Sequence, residues 1–206
     1  MPRRDEQDFE GRRQQIIDGA LQVFASKGFE GATNKDIAAA AGIGSPGLIY
    51  HYFKDKSDLF KQVVEQRLPV LQLLFHSQEE LMSKPPQDAL TIFGKAFLEV
   101  SENPTLLPTI KLLLGEAFRQ PQVAEMFNTI GPSRSIAFLT HYLTKQMSEG
   151  VLKPVNPEAA ARCFVGSLVA YILTREVFLQ PDAQKISPDI MVATAVEVFL
   201  RGLELS

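Results

Sequence analysis

Apolar residues fall along this chain at a helical period from one end to the other. Ile16, Ile17, Ala20, Leu21 and Phe24 recur at three- and four-residue intervals, the spacing that lays one stripe along a helix of 3.6 residues per turn. Further stripes of that period run at about 70–82, 88–102, 105–118, 133–149, 157–179 and 188–203. Proline, glycine, serine and asparagine separate them, as in Lys84-Pro85-Pro86 and Asn103-Pro104. No period-two alternation rich in β-branched residues lasts long enough to make a strand. The predicted fold class is all-α, with no repeat of fixed period.

Four helices are predicted in the first 67 residues. The first spans about 12–27 and stops at Gly28, followed by apolar Phe29, the pattern of a left-handed helix end. Thr33-Asn34-Lys35-Asp36 fits a capping box and opens a second helix over 34–41, ended by Gly42. Ser45-Pro46 presents a capping side chain followed by proline at the first helical position, opening a third helix to about Phe53. Asp55-Lys56-Ser57-Asp58 starts a fourth, through Leu59, Phe60, Val63 and Val64, which Pro69 either kinks or ends.

Composition narrows the class of protein. With 206 residues, 45% of them hydrophobic and 22% charged, the chain has material for one or two self-folding domains. A single cysteine, Cys163, excludes an internal disulfide and a cysteine-based zinc site. The apolar run Cys163 to Thr174 is 12 residues, and the longest run without Asp, Glu, Lys or Arg, Ile37 to Phe53, is 17 and is broken by Gly42, Gly44, Pro46 and Gly47; both fall short of the ~20 apolar residues that span a bilayer. No apolar segment follows Met1-Pro2-Arg3-Arg4, so no secretory signal is read and the cytoplasm is the expected compartment. The net charge of −3 lies entirely beyond residue 67, the first 67 residues being balanced. The basic groups Arg3, Arg4, Arg12, Arg13, Lys54 and Lys56 decide nothing by charge alone.

Catalytic patterns are missing. Gly42-Ile43-Gly44-Ser45-Pro46-Gly47 matches a dinucleotide fingerprint, but it follows Ala38-Ala39-Ala40-Ala41, a helix-favouring run, rather than a strand. His51, His76 and His141 lack metal-ligand spacing, and neither a carboxylate pair nor a nucleophile elbow occurs. The expectation is no enzyme, no metal and no cofactor.

The second and third predicted helices, joined by Gly42-Ile43-Gly44, make either a helix-turn-helix or a plain αα-hairpin. Residues 12–67, above all Thr33 to Ile43 and Leu48-Ile49-Tyr50-His51-Tyr52-Phe53-Lys54-Asp55-Lys56-Ser57-Asp58-Leu59, resemble the DNA-binding domain of the TetR family of bacterial transcriptional regulators. The resemblance implies that Thr33, Asn34 and Lys35 hold a phosphate at the positive end of the second helix. It implies further that Tyr50 and His51 meet backbone and base edges, that Lys56 binds a phosphate, and that Ser45, Pro46, Gly47 and Leu48 approach bases. Lacking Arg, Asn or Gln, the third helix would rely on thymine methyls and DNA shape. One departure stands out: between Gly42 and Tyr50 the chain carries one residue more than the family spacing.

The resemblance divides the chain into a DNA-binding domain over 1–67 and a ligand-binding and dimerisation domain over 68–206. It implies a homodimer, formed through about 157–179 and 188–203, that binds a pseudo-palindromic operator and leaves it when a small apolar or amphipathic molecule binds. Phe75, Phe93, Phe97, Phe118, Phe127, Tyr142, Phe164 and Tyr171 either line that pocket or fill the core. Glu116, Arg119, Arg162, Arg175 and Glu176 either orient a ligand or pair with one another. A constitutive DNA-binding protein with a body used only for dimerisation, and an enzyme on a helical scaffold, are the readings from other classes.

Overall fold

The structure, a computed structural model, describes residues 4–205, with side chains from residue 8 onward. Among these residues the fold is all-α, and Arg3 and the side chain of Arg4 lie outside them. Two units form: residues 1–67 with 104–130, and residues 68–103 with 131–206.

In the first unit, α1 (Arg4–Gly31) begins earlier than the apolar stripe indicates and kinks at Gly28, whose φ of 73° and ψ of 178° form an extended, glycine-only turn instead of the left-handed helical stop expected there. Helix α2 (Asn34–Ala40) opens on the capping box: Asp36 N–H donates to Thr33 Oγ1 at 3.2 Å, and Thr33 N–H to Asp36 Oδ2 at 3.4 Å. It ends as a Schellman motif, with Gly42 at φ 65°, Ile43 N–H donating to Ala38 O and Gly42 N–H to Ala39 O. Ser45 caps the next segment as predicted, but Pro46–His51 is a 3-10 helix. Its residues explain the tighter winding: Gly47 is a poor helix former, Ile49, Tyr50 and His51 are middling ones, and only six residues are available. Helix α3 (Lys56–Arg67) follows, its first turn capped by Asp55, which accepts from Asp58 N–H at 2.8 Å. The core joins Ile16, Ile17, Phe24, Ile37, Ile49, Phe53, Leu59, Phe60 and Val63, all nearly inaccessible to solvent, each large side chain contributing about 2 kcal/mol of burial. Phe24, Phe29 and Phe60 form an aromatic cluster with ring separations of 5.0–6.0 Å.

Two further helices complete this unit although the sequence assigns them to the second domain: α7 (Leu106–Ala117), which packs on α1, and α8 (Pro121–Ile130), which packs on α3 and α7. Helix α8 has no counterpart among the predicted helices; Pro121 at its first turn and buried Val123 and Ile130 are its signal.

In the second unit Pro69 begins a helix rather than bending one. Leu68 is extended (φ −80°, ψ 117°) between α3 and α4 (Pro69–His76). The predicted helix over 70–82 breaks at Ser77 before α5 (Gln78–Ser83), and that over 88–102 is α6 (Pro86–Leu98) with a 3-10 turn at Glu99–Glu102. Helices α9 (Pro132–Ser148), α10 (Pro157–Ile172) and α12 (Pro188–Arg201) pack with α6 around Leu90, Phe93, Leu139, Tyr142, Phe164, Leu168 and Val196. Expected to run to Leu179, α10 instead ends in a π-turn at Leu173–Val177 and a left-handed Leu179 (φ 50°), before the short α11 (Pro181–Gln184).

Candidate functional site

Helix α2 and the Pro46–His51 helix meet at the surface that carries most of the predicted DNA contacts. Thr33 and Lys35 are exposed and Asn34 half-buried at the start of α2, where free backbone N–H groups favour an anion. Tyr50 is 61% exposed and receives a hydrogen bond from Asn34 Nδ2 at 2.8 Å. Ser45, Pro46, Gly47 and His51 are exposed, Leu48 is half-buried, and Ile49 and Phe53 anchor the segment in the core. Nine of the ten predicted DNA contacts thus lie on, or at the caps of, two adjoining elements, α2 and the Pro46–His51 helix.

Lys56, the tenth, is held differently. Its Nζ donates to Glu30 O and Ala32 O, both at 3.3 Å, and lies 4.6 Å from the centroid of the Phe29 ring. It braces the chain between the break in α1 and the Thr33 cap. Asp36 is tied from the other side by Lys27 at 2.8 Å. The Lys27 hydrogen bond, followed by that from Thr33, lowers the Asp36 carboxyl below its usual range. Of the predicted basic pairs, Arg12 bonds to Gln15 at 3.2 Å, and Arg13 lies over the Phe53 ring at 5.5 Å and donates to Gln62.

Glu116 has a role the sequence did not disclose. From α7 its carboxylate accepts the N–H groups of Phe29 (3.2 Å) and Glu30 (3.3 Å), donors left without helical partners by the turn at Gly28. Arg119 donates to its own helix at Gly115 O, Arg162 pairs with Glu158 at 2.8 Å, and Arg175 pairs with Glu176 at 3.0 Å while bonding to the Tyr171 hydroxyl, the interaction that does most to raise the Arg175 pKa.

The predicted ligand aromatics do not converge. Phe93 packs against Phe97, Phe138 and Phe164 with ring separations of 6.1–6.4 Å, a core cluster. Tyr142 is buried with its hydroxyl donating to Lys84 O at 2.8 Å; burial first, then Asp88 and Glu149, drives its pKa up. Tyr171 is buried too and donates to Ile186 O at 2.8 Å. Phe118 is 88% exposed and belongs to the first unit, as does half-buried Phe127. Phenylalanines at helical spacing are core by default; here that holds for Phe93 and Phe164, while Phe97 and Phe127 are half-buried and Phe75 and Phe118 exposed. Phe75, 80% exposed, lines a cleft: a space of about 400 Å³ walled by Leu71, Leu74, Phe75 and Gln78 on one side and Arg134, Ala137, Phe138 and His141 on the other. Among the described residues no group of His, Cys, Asp or Glu is arranged to hold a metal ion, and no helix is long and apolar enough to cross a membrane.

Residues 16–63 match the family model for bacterial regulatory proteins of the tetR family, and residues 88–202 match that for the C-terminal domain of AefR-like transcriptional repressors. The HTH-type transcriptional regulator AcrR of Shigella flexneri is 33% identical over 130 residues, 61% of this chain and 57% of that protein, so the chain matches little more than half the length of this relative. A solved TetR-family regulator from Mesorhizobium loti superposes with a TM-score of 0.75 at 24% identity, over 95% of this chain and 98% of that one. FadR of Bacillus subtilis, solved in complex with stearoyl-CoA, does so with a TM-score of 0.73 at 22% identity, over 93% and 99%. With a helix-turn-helix head, a larger helical body and two family models that together span most of the sequence, this chain belongs to the TetR family of bacterial transcriptional regulators.

Proposed function

We propose that the protein is a cytoplasmic, homodimeric repressor without catalytic activity, which binds a pseudo-palindromic operator and is released by a small apolar or amphipathic ligand. The domain division is functional, 1–67 reading DNA and 68–206 serving dimerisation and ligand response. The observation that carries the DNA reading is the exposed set Thr33, Asn34, Lys35, Ser45, Pro46, Gly47, Tyr50 and His51, with Leu48 beneath it, on an otherwise well-packed helix-turn-helix. Lys56 supplies a phosphate interaction with the donor that its two carbonyl bonds leave over.

Dimerisation is supported by an exposed stripe on α10, Cys163, Gly166, Val169 and Ala170, beside Ile190, Ala193, Thr194 and Val198 on α12. Val196, on the same helix, faces the core. Small residues let two copies of each helix approach closely about a two-fold axis. Ligand release is supported by the likeness to FadR, whose structure holds an acyl-CoA.

The test combines sedimentation with selection of duplexes from a random DNA pool. A dimer that enriches a two-fold symmetric sequence, and an Ala170→Glu variant that is monomeric and loses it, are expected. A monomeric wild type at micromolar concentration, or no enriched sequence, overturns the reading. DNA affinity unchanged across a panel of apolar and amphipathic ligands favours a constitutive binder.

A further inference from the structure

The residues Phe29 to Ala32 carry the chain from the kink at Gly28 to the Thr33 cap, and charged side chains from three helices hold this short passage. The Glu116 carboxylate of α7 accepts Phe29 N–H through Oε2 at 3.2 Å and Glu30 N–H through Oε1 at 3.3 Å, one oxygen to each donor. Lys56 of α3 donates to the carbonyls of Glu30 and Ala32, each at 3.3 Å. Lys27, on α1 itself, pairs at 2.8 Å with Asp36, whose carboxylate also accepts the Thr33 hydroxyl at 2.7 Å. Thr33, Asn34 and Lys35 follow directly, so what fixes residues 29 to 32 fixes the first turn of α2. Of the three clamps, Glu116 is the one that lies far away in sequence. It falls in the segment matched by the C-terminal family model, residues 88–202, and it holds backbone matched by the DNA-binding model, residues 16–63. Its charge is the wrong sign for a bystander, since a carboxylate beside a surface that takes up phosphates repels them. What offsets that repulsion is two charge-assisted hydrogen bonds to backbone.

We propose that Glu116 is a positioning residue for DNA binding: from α7 it sets the backbone of Phe29 and Glu30, and through the Thr33 cap the placement of Thr33, Asn34 and Lys35, without touching DNA itself. A binding segment held in its bound conformation has less disorder to lose when the partner arrives, which raises affinity with no new contact. The proposal rests on the DNA reading above and adds to it a residue from outside the helix-turn-helix, so the unit that reads DNA is discontinuous in sequence.

The experiment measures DNA affinity by fluorescence anisotropy, on a duplex that the wild type selects from a random pool, for the full-length wild type, Glu116→Gln, Glu116→Ala and a control, Leu90→Val, with thermal unfolding of each. Positioning and charge predict opposite signs. Glu116→Gln keeps the shape of the side chain and one acceptor oxygen, so affinity should fall by about threefold, and in Glu116→Ala by about tenfold, although each variant removes a negative charge. Leu90→Val, a change in the buried core of the second unit, should lower Tm and leave DNA affinity as it was, which separates positioning from a general loss of stability. In amide NMR spectra Glu116→Gln should move the signals of Thr33, Asn34 and Lys35 as well as those of Phe29 and Glu30. Should Glu116→Ala unfold, the near-isosteric Glu116→Gln decides. Affinity in Glu116→Gln equal to or above that of the wild type, amide shifts confined to Phe29 and Glu30, or a Leu90→Val protein that loses as much affinity would overturn the proposal. A wild type that selects no duplex overturns the DNA reading and the proposal together, whereas a wild type that selects one while Glu116→Gln binds it as tightly removes the role of Glu116 alone.

Discussion

Asn34 Nδ2 donates to the Tyr50 hydroxyl at 2.8 Å, joining the first turn of α2 to the exposed face of the Pro46–His51 helix. On the DNA reading proposed above, the bond would join a phosphate contact to a base contact and orient both side chains before DNA arrives. Tyr50→Phe should weaken operator binding by about 0.5–1.5 kcal/mol, the net worth of one hydrogen bond, and Asn34→Ala by a similar amount. Because each variant breaks the same bond, the double variant should cost less than the sum of the two. Fluorescence anisotropy on a selected duplex measures it; strict additivity would show the two side chains act independently.

Lys56 serves the fold and, as proposed, the DNA. Lys56→Ala removes two bonds to carbonyls at the Glu30–Ala32 bend and the cation–π interaction with the Phe29 ring, which should lower stability by about 1 kcal/mol. If the lysine also neutralises a phosphate, the slope of log K against log salt should fall by about one for each phosphate left without its lysine. Urea unfolding and salt titrations separate the two effects. Lower stability with an unchanged slope would make Lys56 a brace only.

Local chemistry made much of this fold legible, and relations between distant residues remained hidden. The Thr33–Asp36 box, the Gly42 stop and the Ser45 cap each depend on side chains within a few residues, so their patterns predict the geometry found. The capping pattern at Ser45-Pro46 could not distinguish a 3-10 from an α-helix, since both start alike. Nothing local marks Glu116 as the acceptor for Phe29 and Glu30, because its partners lie 87 and 86 residues away. Gly19 is similar: it reads as a poor residue inside α1, yet an added Cβ would stand 2.6 Å from Ala41 N, so it is where α1 and α2 touch. Aromatic content pointed to a pocket lined by Phe93 and Phe164, but such rings bury themselves first, and the cleft is marked by Arg134 and His141 instead.

Asp36 makes stability depend on acid pH. Its carboxyl is lowered by Lys27 and then by Thr33, so the folded state favours the ionised form. That contribution is fully present above the usual carboxylate value of about 3.9 and is lost as pH falls through the lowered folded value. Asp36→Asn should therefore lower Tm at pH 7, with the gap to wild type narrowing below about pH 4. Thermal unfolding followed by circular dichroism across this range checks it, and a gap independent of pH would exclude ionisation of Asp36 as the cause.

Gly28 and Glu116 form the last testable pair. At φ 73° a side chain at residue 28 is strained whatever the space, and an added Cβ would lie 2.5 Å from Glu116 Oε1. Gly28→Ala should thus destabilise by about 1–2 kcal/mol from backbone strain alone, and by more because the carboxylate must move off the two N–H groups it accepts. Glu116→Ala, which leaves Phe29 N–H and Glu30 N–H without their acceptor, should cost about 1–2 kcal/mol, discounted because the bend is partly open to water. In the double variant the clash is gone while the strain remains, so its cost should fall short of the sum of the single variants. Chemical denaturation of the four proteins measures the coupling. A double variant as unstable as the sum predicts would mean that Glu116 does not hold the bend.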